Sequence, residues 1–387
     1  MKIAIIGARG IPAKYGGAET FISELAPGLA QRGYEVYVTC NSRKFGMDKY
    51  EGVTRIHTPA IEGKTFTVPA LNEILATIHL QIRCPKIDLV YYVLDYGAVA
   101  AILPRLLGKT VVINADGIEW KRPLIRKQYL APGWKPLAVA LSWYMKLMEW
   151  MSVKLSHAVI ADSRAIEDYL DKRYHAQNVV FIAYGSERSP NLDITAMEEN
   201  QVLQQYGLTA GEYYLTMCRV VAENNIHRQI EGFKRSKSAK SMVIAGNFQE
   251  KDRYAMRLRQ LARGYPKIIL ISSIWDKKPW HILRKNCYAY IHSYRLGGTN
   301  PSLVEQMAFG RPIIAYDVPF HREILEDGGL YFQDEDSLAS IIETLESDQV
   351  DLKNIANRYA KRIAEEYNWD FITEKYNILF SQLLLKQ

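Results

Sequence analysis

Cysteine is scarce. Only Cys40, Cys84, Cys218 and Cys287 occur in 387 residues, and no two of them have metal-ligand or redox spacing. A disulfide framework and a cysteine metal site are therefore excluded, and a reducing cytoplasm fits. No apolar run reaches the roughly 20 residues that a membrane-spanning helix needs. The opening Met1-Lys2-Ile3-Ala4-Ile5-Ile6-Gly7 is short and is followed at once by Arg9, so it reads as a first strand rather than a signal peptide. No stripe of Lys and Arg interleaved with aromatics marks a nucleic-acid surface. No carboxylate pair suggests a divalent-metal site. The glycine-rich loop Gly7–Glu19 lacks the Gly-x-Gly-x-x-Gly spacing, so a nicotinamide cofactor finds no support. Repeats and low-complexity segments are absent as well.

What is present describes a globular chain of about two domains. Apolar residues make up 48% and charged residues 24%, enough for a substantial core. The net charge is +7. All of the excess lies in residues 1–180, with 23 basic against 16 acidic residues, while residues 181–387 carry 26 of each. A basic half suggests an anionic partner: nucleic acid, an acidic lipid surface or a pyrophosphate-bearing substrate.

Strand and helix patterns alternate through both halves. Ile3–Gly7, Glu35–Cys40, Val53–His57, Asp88–Val93, Thr110–Ala115 and Ala158–Ala161 read as strands rich in Val, Ile and Tyr. Ala18, Phe21, Ile22, Leu25 and Leu29 mark one face of a helix ending near Gly33, and Gly97–Leu107 and Arg164–Tyr174 are further helices. Val179–Ala183 adds one more strand. The turn-rich Tyr184–Asn191 reads as a linker. Strands Tyr213–Cys218, Ser241–Ala245 and Lys267–Ile271 follow, with helices Ile226–Lys237 and Lys251–Gly264 between them. Near-continuous apolar strands separated by helices predict two doubly wound parallel sheets, with ligands beyond the strand C-termini.

The most informative stretch is Gly297-Gly298-Thr299-Asn300-Pro301-Ser302-Leu303-Val304-Glu305, running on to Gly310-Arg311-Pro312. It follows the strand Tyr288–Ile291. Two glycines let the backbone approach a ligand closely. Asn300 can cap a helix that begins at Pro301, and the amides of that helix end suit a phosphate. Glu305 lies one turn in and can accept from a sugar hydroxyl. This run resembles the nucleotide-sugar site of retaining glycosyltransferases of the GT-B fold, family four. They carry two glutamates eight positions apart before a Gly-x-Pro turn. Glu305 matches the second, which the resemblance implies binds the nucleotide ribose. Gly297 stands where the first would contact the donor sugar. A glycine there is similar to the bacterial rhamnosyltransferase branch.

Other motifs align with the same family. Gly16-Gly17, at the start of the first helix, corresponds to a Gly-Gly that borders the donor phosphates. Arg219 matches an arginine that clasps the diphosphate, and Asn224 replaces the lysine expected five residues later. Asn114-Ala115-Asp116-Gly117-Ile118-Glu119-Trp120-Lys121-Arg122 resembles the Asp-Gly-Leu-Glu-Trp-Lys-Arg signature of the rhamnosyltransferase branch. Asp116 then stands where a catalytic group would orient or deprotonate the acceptor hydroxyl. Glu119, Lys121 and Arg122 would bind the acceptor, the two cations at its pyrophosphate. His292, just before the Gly-Gly loop, reads equally as a donor contact or as a core histidine. The Met- and Trp-rich segment Trp134–Ser156 reads as a core helix, with a lipid-interface helix as the alternative.

The resemblance therefore implies an α/β protein of GT-B type, two Rossmann-like domains facing a central cleft. Residues 1–183 would bind the acceptor, residues 184–367 the nucleotide-sugar, and the terminal helix 368–387 would complete the first domain. The expected activity is retaining transfer of a hexose, L-rhamnose from dTDP-L-rhamnose, onto a lipid-pyrophosphate-linked saccharide of a surface polysaccharide. Arg219 and the Gly298, Thr299, Asn300 and Ser302 segment would hold the donor, with no metal and no cofactor. The chain would be cytoplasmic or peripheral on an anionic inner-membrane face, without a nucleic-acid partner. Alternatives are UDP-glucose, UDP-N-acetylglucosamine or GDP-mannose as donor, a nucleotide-sugar epimerase, and a non-enzymatic sugar-nucleotide-binding protein.

Overall fold

The computed structural model describes residues 1–13, 17–61, 67–186, 192–347 and 351–385. The chain divides into two compact units, residues 1–123 with 137–185 and 366–387, and residues 124–136 with 186–365.

The first unit is built on an eight-stranded sheet. Its strands are β1 (Lys2–Ile6), β2 (Glu35–Ser42), β3 (Gly46–Tyr50), β4 (Val53–Pro59), β5 (Leu89–Tyr92), β6 (Thr110–Ala115), β7 (Ala158–Ala161) and β8 (Val179–Phe181). The order across the sheet is β3-β4-β2-β1-β5-β6-β7-β8, parallel throughout except for the β3–β4 pair. The second unit holds six parallel strands: β9 (Tyr213–Met217), β10 (Ser241–Ala245), β11 (Ile268–Ile271), β12 (Ala289–His292), β13 (Ile313–Tyr316) and β14 (Gly329–Phe332). They are ordered β11-β10-β9-β12-β13-β14. Both are doubly wound sheets whose strand order reverses once, between β1 and β5 and between β9 and β12. Ligands of such sheets bind beyond the strand C-termini at that reversal.

The central strands form because helices cover both their faces. Every residue of β5, β6, β7, β9 and β12 is buried, so each reads as an unbroken apolar run. Strand β3 differs. Gly-Met-Asp-Lys-Tyr is polar and solvent-facing, held at the edge by the paired hydrogen bonds of Arg55 Nε and Nη2 to Asp48, both 2.7 Å. No apolar alternation announces such a strand. β14 is four residues long and was equally silent.

The terminal helix Trp369–Leu385 lies within the first unit. Tyr376 and Phe380 pack on Tyr91 of β5, and Tyr376 Oη is 3.1 Å from Tyr91 Oη. Glu374 pairs with Arg32 at 3.0 Å, and Tyr34 Oη donates to Asn377 Oδ1 at 2.9 Å. The sequence boundary needs one correction. Residues 124–136 were assigned to the first domain, but they belong to the second unit. Arg126 forms a two-bond ion pair with the fully buried Glu223, and Tyr129 packs edge-on against Tyr254.

Candidate functional site

In the second unit, the loops after β9 and β12 meet at the reversal point. They are locked together by a polar network. Thr216 Oγ1 lies 2.6 Å from Gln229 Oε1, and the Gln229 amide donates to Ser293 Oγ. Ser293 Oγ donates in turn to the Asn224 carbonyl at 2.5 Å, and Asn225 Nδ2 donates to the Ser293 carbonyl at 3.3 Å. Asn224 was expected to contact the donor. Its side-chain amide instead donates to the Arg219 carbonyl at 2.6 Å and lies buried, so it shapes the loop. Arg219 itself is exposed, two residues beyond the end of β9.

The glycine loop after β12 has the predicted backbone. Gly297 and Gly298 have φ of +123° and +73°, values that side-chain-bearing residues rarely adopt. Both are buried, as is Thr299. Asn300 caps the helix Pro301–Met307 by accepting from the Ser302 amide at 3.1 Å. That cap corrects one expectation: the Ser302 amide is used internally, and Pro301 has no N–H. Neither position therefore offers an amide to an anion at this turn. Ser302 is also internal through its hydroxyl, which lies 2.9 Å from Tyr290 Oη and accepts from Arg284 Nη2 at 2.8 Å.

Arg284 is the residue that sequence reasoning missed. It is 2% exposed, on the helix Lys277–Asn286, between the rings of Trp280 and Tyr290. Its guanidinium donates to the Ser302 carbonyl at 3.0 Å and to Gln306 Oε1 at 3.4 Å, and it lies 3.5 Å from Glu305 Oε2. The Glu305 carboxylate is thus fixed from behind by a buried cation while its side chain stays 31% exposed. A carboxylate oriented in this way can accept from a polyol hydroxyl at low entropic cost.

His292 ends β12, stacked on Tyr290 and edge-on to His321. Burial first, then His321 and Arg284, holds its pKa well below the ordinary histidine range, so the ring is neutral. Its Nε2 is buried without a hydrogen-bond partner among the described residues. A depression of about 420 Å³ lies at the ends of β10 and β11, bounded by Asn247, Phe248, Ser273 and Trp275.

In the first unit, Gly17 begins the helix Gly17–Gln31, and Gly16 lies outside the described residues. Asp116 follows β6 and is half-buried. Two of the expected acceptor contacts face inward. Glu119 accepts from Arg122 Nη2 and from Tyr96 Oη, both at 2.5 Å, and all but a few per cent of both side chains is buried. Glu119 and Arg122 therefore brace the loop. Lys121 remains exposed. Trp120 is tethered through Tyr169 to Glu149, with bonds of 2.8 and 2.9 Å, and Lys121, Lys146 and Arg173 surround its ring. Sequence reasoning also missed Glu73 and Asp95, buried carboxyls near the β1–β5 reversal. Gly97 makes room for Glu73: a Cβ there would meet its Oε2 at 1.7 Å. Burial pushes the Glu73 carboxyl up to about 8.

Residues 201–363 match the family model described as glycosyl transferases group 1. The chain carries a group 1 glycosyltransferase domain. Its glycine loop, Arg219, Arg284 and Glu305 all lie inside the matched span. Residues 1–187 match a domain of unknown function, DUF1972. The chain is 23% identical over 328 residues to the O-antigen chain mannosyltransferase of Salmonella typhimurium, spanning 82% of this chain and 86% of that protein. Its fold is similar to that of sucrose-phosphate synthase from Thermosynechococcus elongatus, with a TM-score of 0.82 at 16% identity over all of both chains. It is also similar to Anabaena HepE solved with UDP-glucose, with a TM-score of 0.75 at 16% identity over 99% of this chain and 100% of that one. The architecture is GT-B, with two Rossmann-like units, and the glycosyltransferase is an enzyme.

Proposed function

We propose that this glycosyltransferase moves a sugar from a nucleotide-sugar, dTDP-L-rhamnose, onto a lipid-pyrophosphate-linked saccharide with retention of configuration. The observation that carries the donor site is Glu305, held by the buried Arg284 one turn beyond a glycine loop at the strand-order reversal. Glu305 accepts from the ribose hydroxyls. Arg219 and the backbone of Gly297, Gly298, Thr299 and Asn300 face the diphosphate, and the depression by Trp275 has room for the base. The neutral His292 offers an uncharged contact to the sugar. That HepE was solved with UDP-glucose supports a nucleotide-sugar donor.

In the transfer, the bond from the anomeric carbon to the diphosphate oxygen breaks, and the nucleoside diphosphate leaves with the electron pair. Arg219 stabilises the developing charge on that oxygen. The acceptor hydroxyl forms the new bond on the same face and gives its proton to the Asp116 carboxylate. Lys121 attracts the acceptor pyrophosphate, a task that the internally paired Glu119 and Arg122 do not share.

Gly297 supports the rhamnose reading. A glutamate is missing there, and a fully hydroxylated hexose loses charged contacts worth roughly 1.5–3 kcal/mol each. GDP-mannose is the second reading, favoured by the mannosyltransferase relative. Competition among dTDP-L-rhamnose, GDP-mannose, UDP-glucose and UDP-N-acetylglucosamine decides between them. Preference for dTDP-L-rhamnose supports the proposal, and clear preference for another donor overturns the donor assignment.

A further inference from the structure

Three helices of the first unit cover one face of its sheet: Thr67–Arg83, Ile102–Leu106 and Lys135–Leu155. Their inner sides share one core. Ala76 and Leu80 from the first, and Met148 from the third, pack with Ile6, Val90 and Ile113. The short helix packs against Thr67–Arg83 and buries Pro104.

Their outer sides are apolar where a soluble protein is normally polar. On the first helix, the outward positions are Leu71, Leu75, Ile78 and Ile82, at steps of three and four, and Ile82 is 72% exposed. The short helix exposes Leu106 at 79%, and Leu107 follows it. The third helix exposes Trp143, Leu147 and Trp150 along one line, with Trp143 at 67%. Apolar patches on this scale mark an interaction site.

Among the described residues, the exposed charges on these three helices have one sign. The three helices contain two acidic residues, Glu73 and Glu149, and both are buried on the inner side. Arg83, Arg105 and Lys154 are exposed, as is Lys86 in the following turn. On the helix Arg164–Tyr174 of the same unit, by contrast, Asp168 and Asp171 are both exposed. An isologous contact with a second copy would bring the cations of this face against themselves. An anionic lipid surface instead takes both the tryptophans and the cations.

We infer that this face of the first unit docks on an anionic lipid bilayer. Trp143, Leu147 and Trp150 enter the interface, and the leucines and isoleucines of Thr67–Arg83 extend the contact. Lys146 stands at its border, 4.7 Å from the Trp143 ring and 4.3 Å from the Trp120 ring. The apolar face is thereby continuous with the cationic surround of Trp120 and Lys121. A lipid-linked pyrophosphate reaches Lys121 from the headgroup layer, a step that rests on the acceptor reading given above. No described helix is long and apolar enough to cross the bilayer.

The test uses the full chain and vesicles of phosphatidylcholine alone or mixed with phosphatidylglycerol, with neither donor nor acceptor present. Retention should need phosphatidylglycerol, weaken at high salt and shift tryptophan emission to the blue. Trp143→Ser with Leu147→Ser and Trp150→Ser should lower partitioning at least about tenfold with the circular-dichroism melt preserved. Trp275→Ser in the second unit should leave partitioning unchanged. Absence of retention on mixed vesicles at low salt overturns the inference, as does equal retention of the triple variant. A dimer that the triple variant dissolves, without effect on vesicle binding, would assign the face to a second copy and overturn it too. Because no sugar enters the assay, failure of the donor assignment leaves this result intact. Transfer to lipid-linked acceptor without vesicle binding would refute the docking face alone.

Discussion

Replacing Arg284 with lysine keeps the charge but removes the planar fork. In the native protein, Nη1 reaches the Ser302 carbonyl at 3.0 Å and Nη2 reaches Ser302 Oγ at 2.8 Å, with Glu305 at 3.5 Å. A single ammonium satisfies at most part of this set, and Arg284 is buried away from water. Losing one or two charge-assisted bonds costs about 1.5–3 kcal/mol each, so urea denaturation should show a loss of roughly 1.5–6 kcal/mol. The more specific effect is on Glu305, which loses its anchor. Calorimetric titration with dTDP, UDP and GDP should show weaker binding in Arg284→Lys and in Glu305→Gln. The double variant should bind nearly as well as the weaker single one, a coupling of about 0.5–3 kcal/mol. If the two losses simply add, Arg284 does not act through Glu305 and the ribose assignment loses its physical basis.

Arg219→Ala should lower transition-state stabilisation by about 2–4 kcal/mol, read in kcat/KM, with the melting curve unchanged; near-normal turnover would remove Arg219 from the diphosphate. Gly297→Glu should not restore use of UDP-glucose, because at φ +123° a side chain costs about 1–2 kcal/mol and displaces the loop; a stable variant with gained hexose transfer would refute this. Glu73 gives a pH signature: its folded carboxyl titrates at about 8, against an ordinary value of 4.5. Between those values the folded state keeps a proton that the unfolded chain has lost, so stability falls as pH rises, by roughly 1.4 kcal/mol per unit. Glu73→Gln should flatten that slope in urea melts across the window, and an unaltered slope would mean that Glu73 is not the group responsible.

The sheets were readable because their central strands are buried on both faces and so run as unbroken Val, Ile and Tyr segments. The glycine loop was readable for a different reason, since positive φ, an Asn cap and a first-turn proline each demand a residue type. β3 escaped because its residues answer to solvent and to Arg55 rather than to a core. Arg284 escaped because a buried arginine looks, in sequence, like any basic residue near the end of a helix. Its meaning lies in Ser302 and Glu305, which are close only after folding. Glu119 and Arg122 carry the opposite lesson. Their place in the family signature implied acceptor contacts, yet at i and i+3 they pair with each other and lie buried. Residues 124–136 lie in the second unit, where Arg126 pairs with the buried Glu223 and Tyr129 packs on Tyr254, partners that are distant in sequence.

Sugar transfer from a nucleotide-sugar can be followed at the anomeric carbon. Donors labelled with carbon-13 at that atom, incubated with farnesyl-pyrophosphate-linked monosaccharides, should yield one nucleoside diphosphate per glycoside formed. The new linkage should keep the donor's anomeric configuration in the NMR spectrum, and Glu305→Gln should depress product formation. Inverted linkages would contradict the mechanism, and absence of both glycoside and nucleoside diphosphate from every donor and acceptor tried would contradict the transferase account itself.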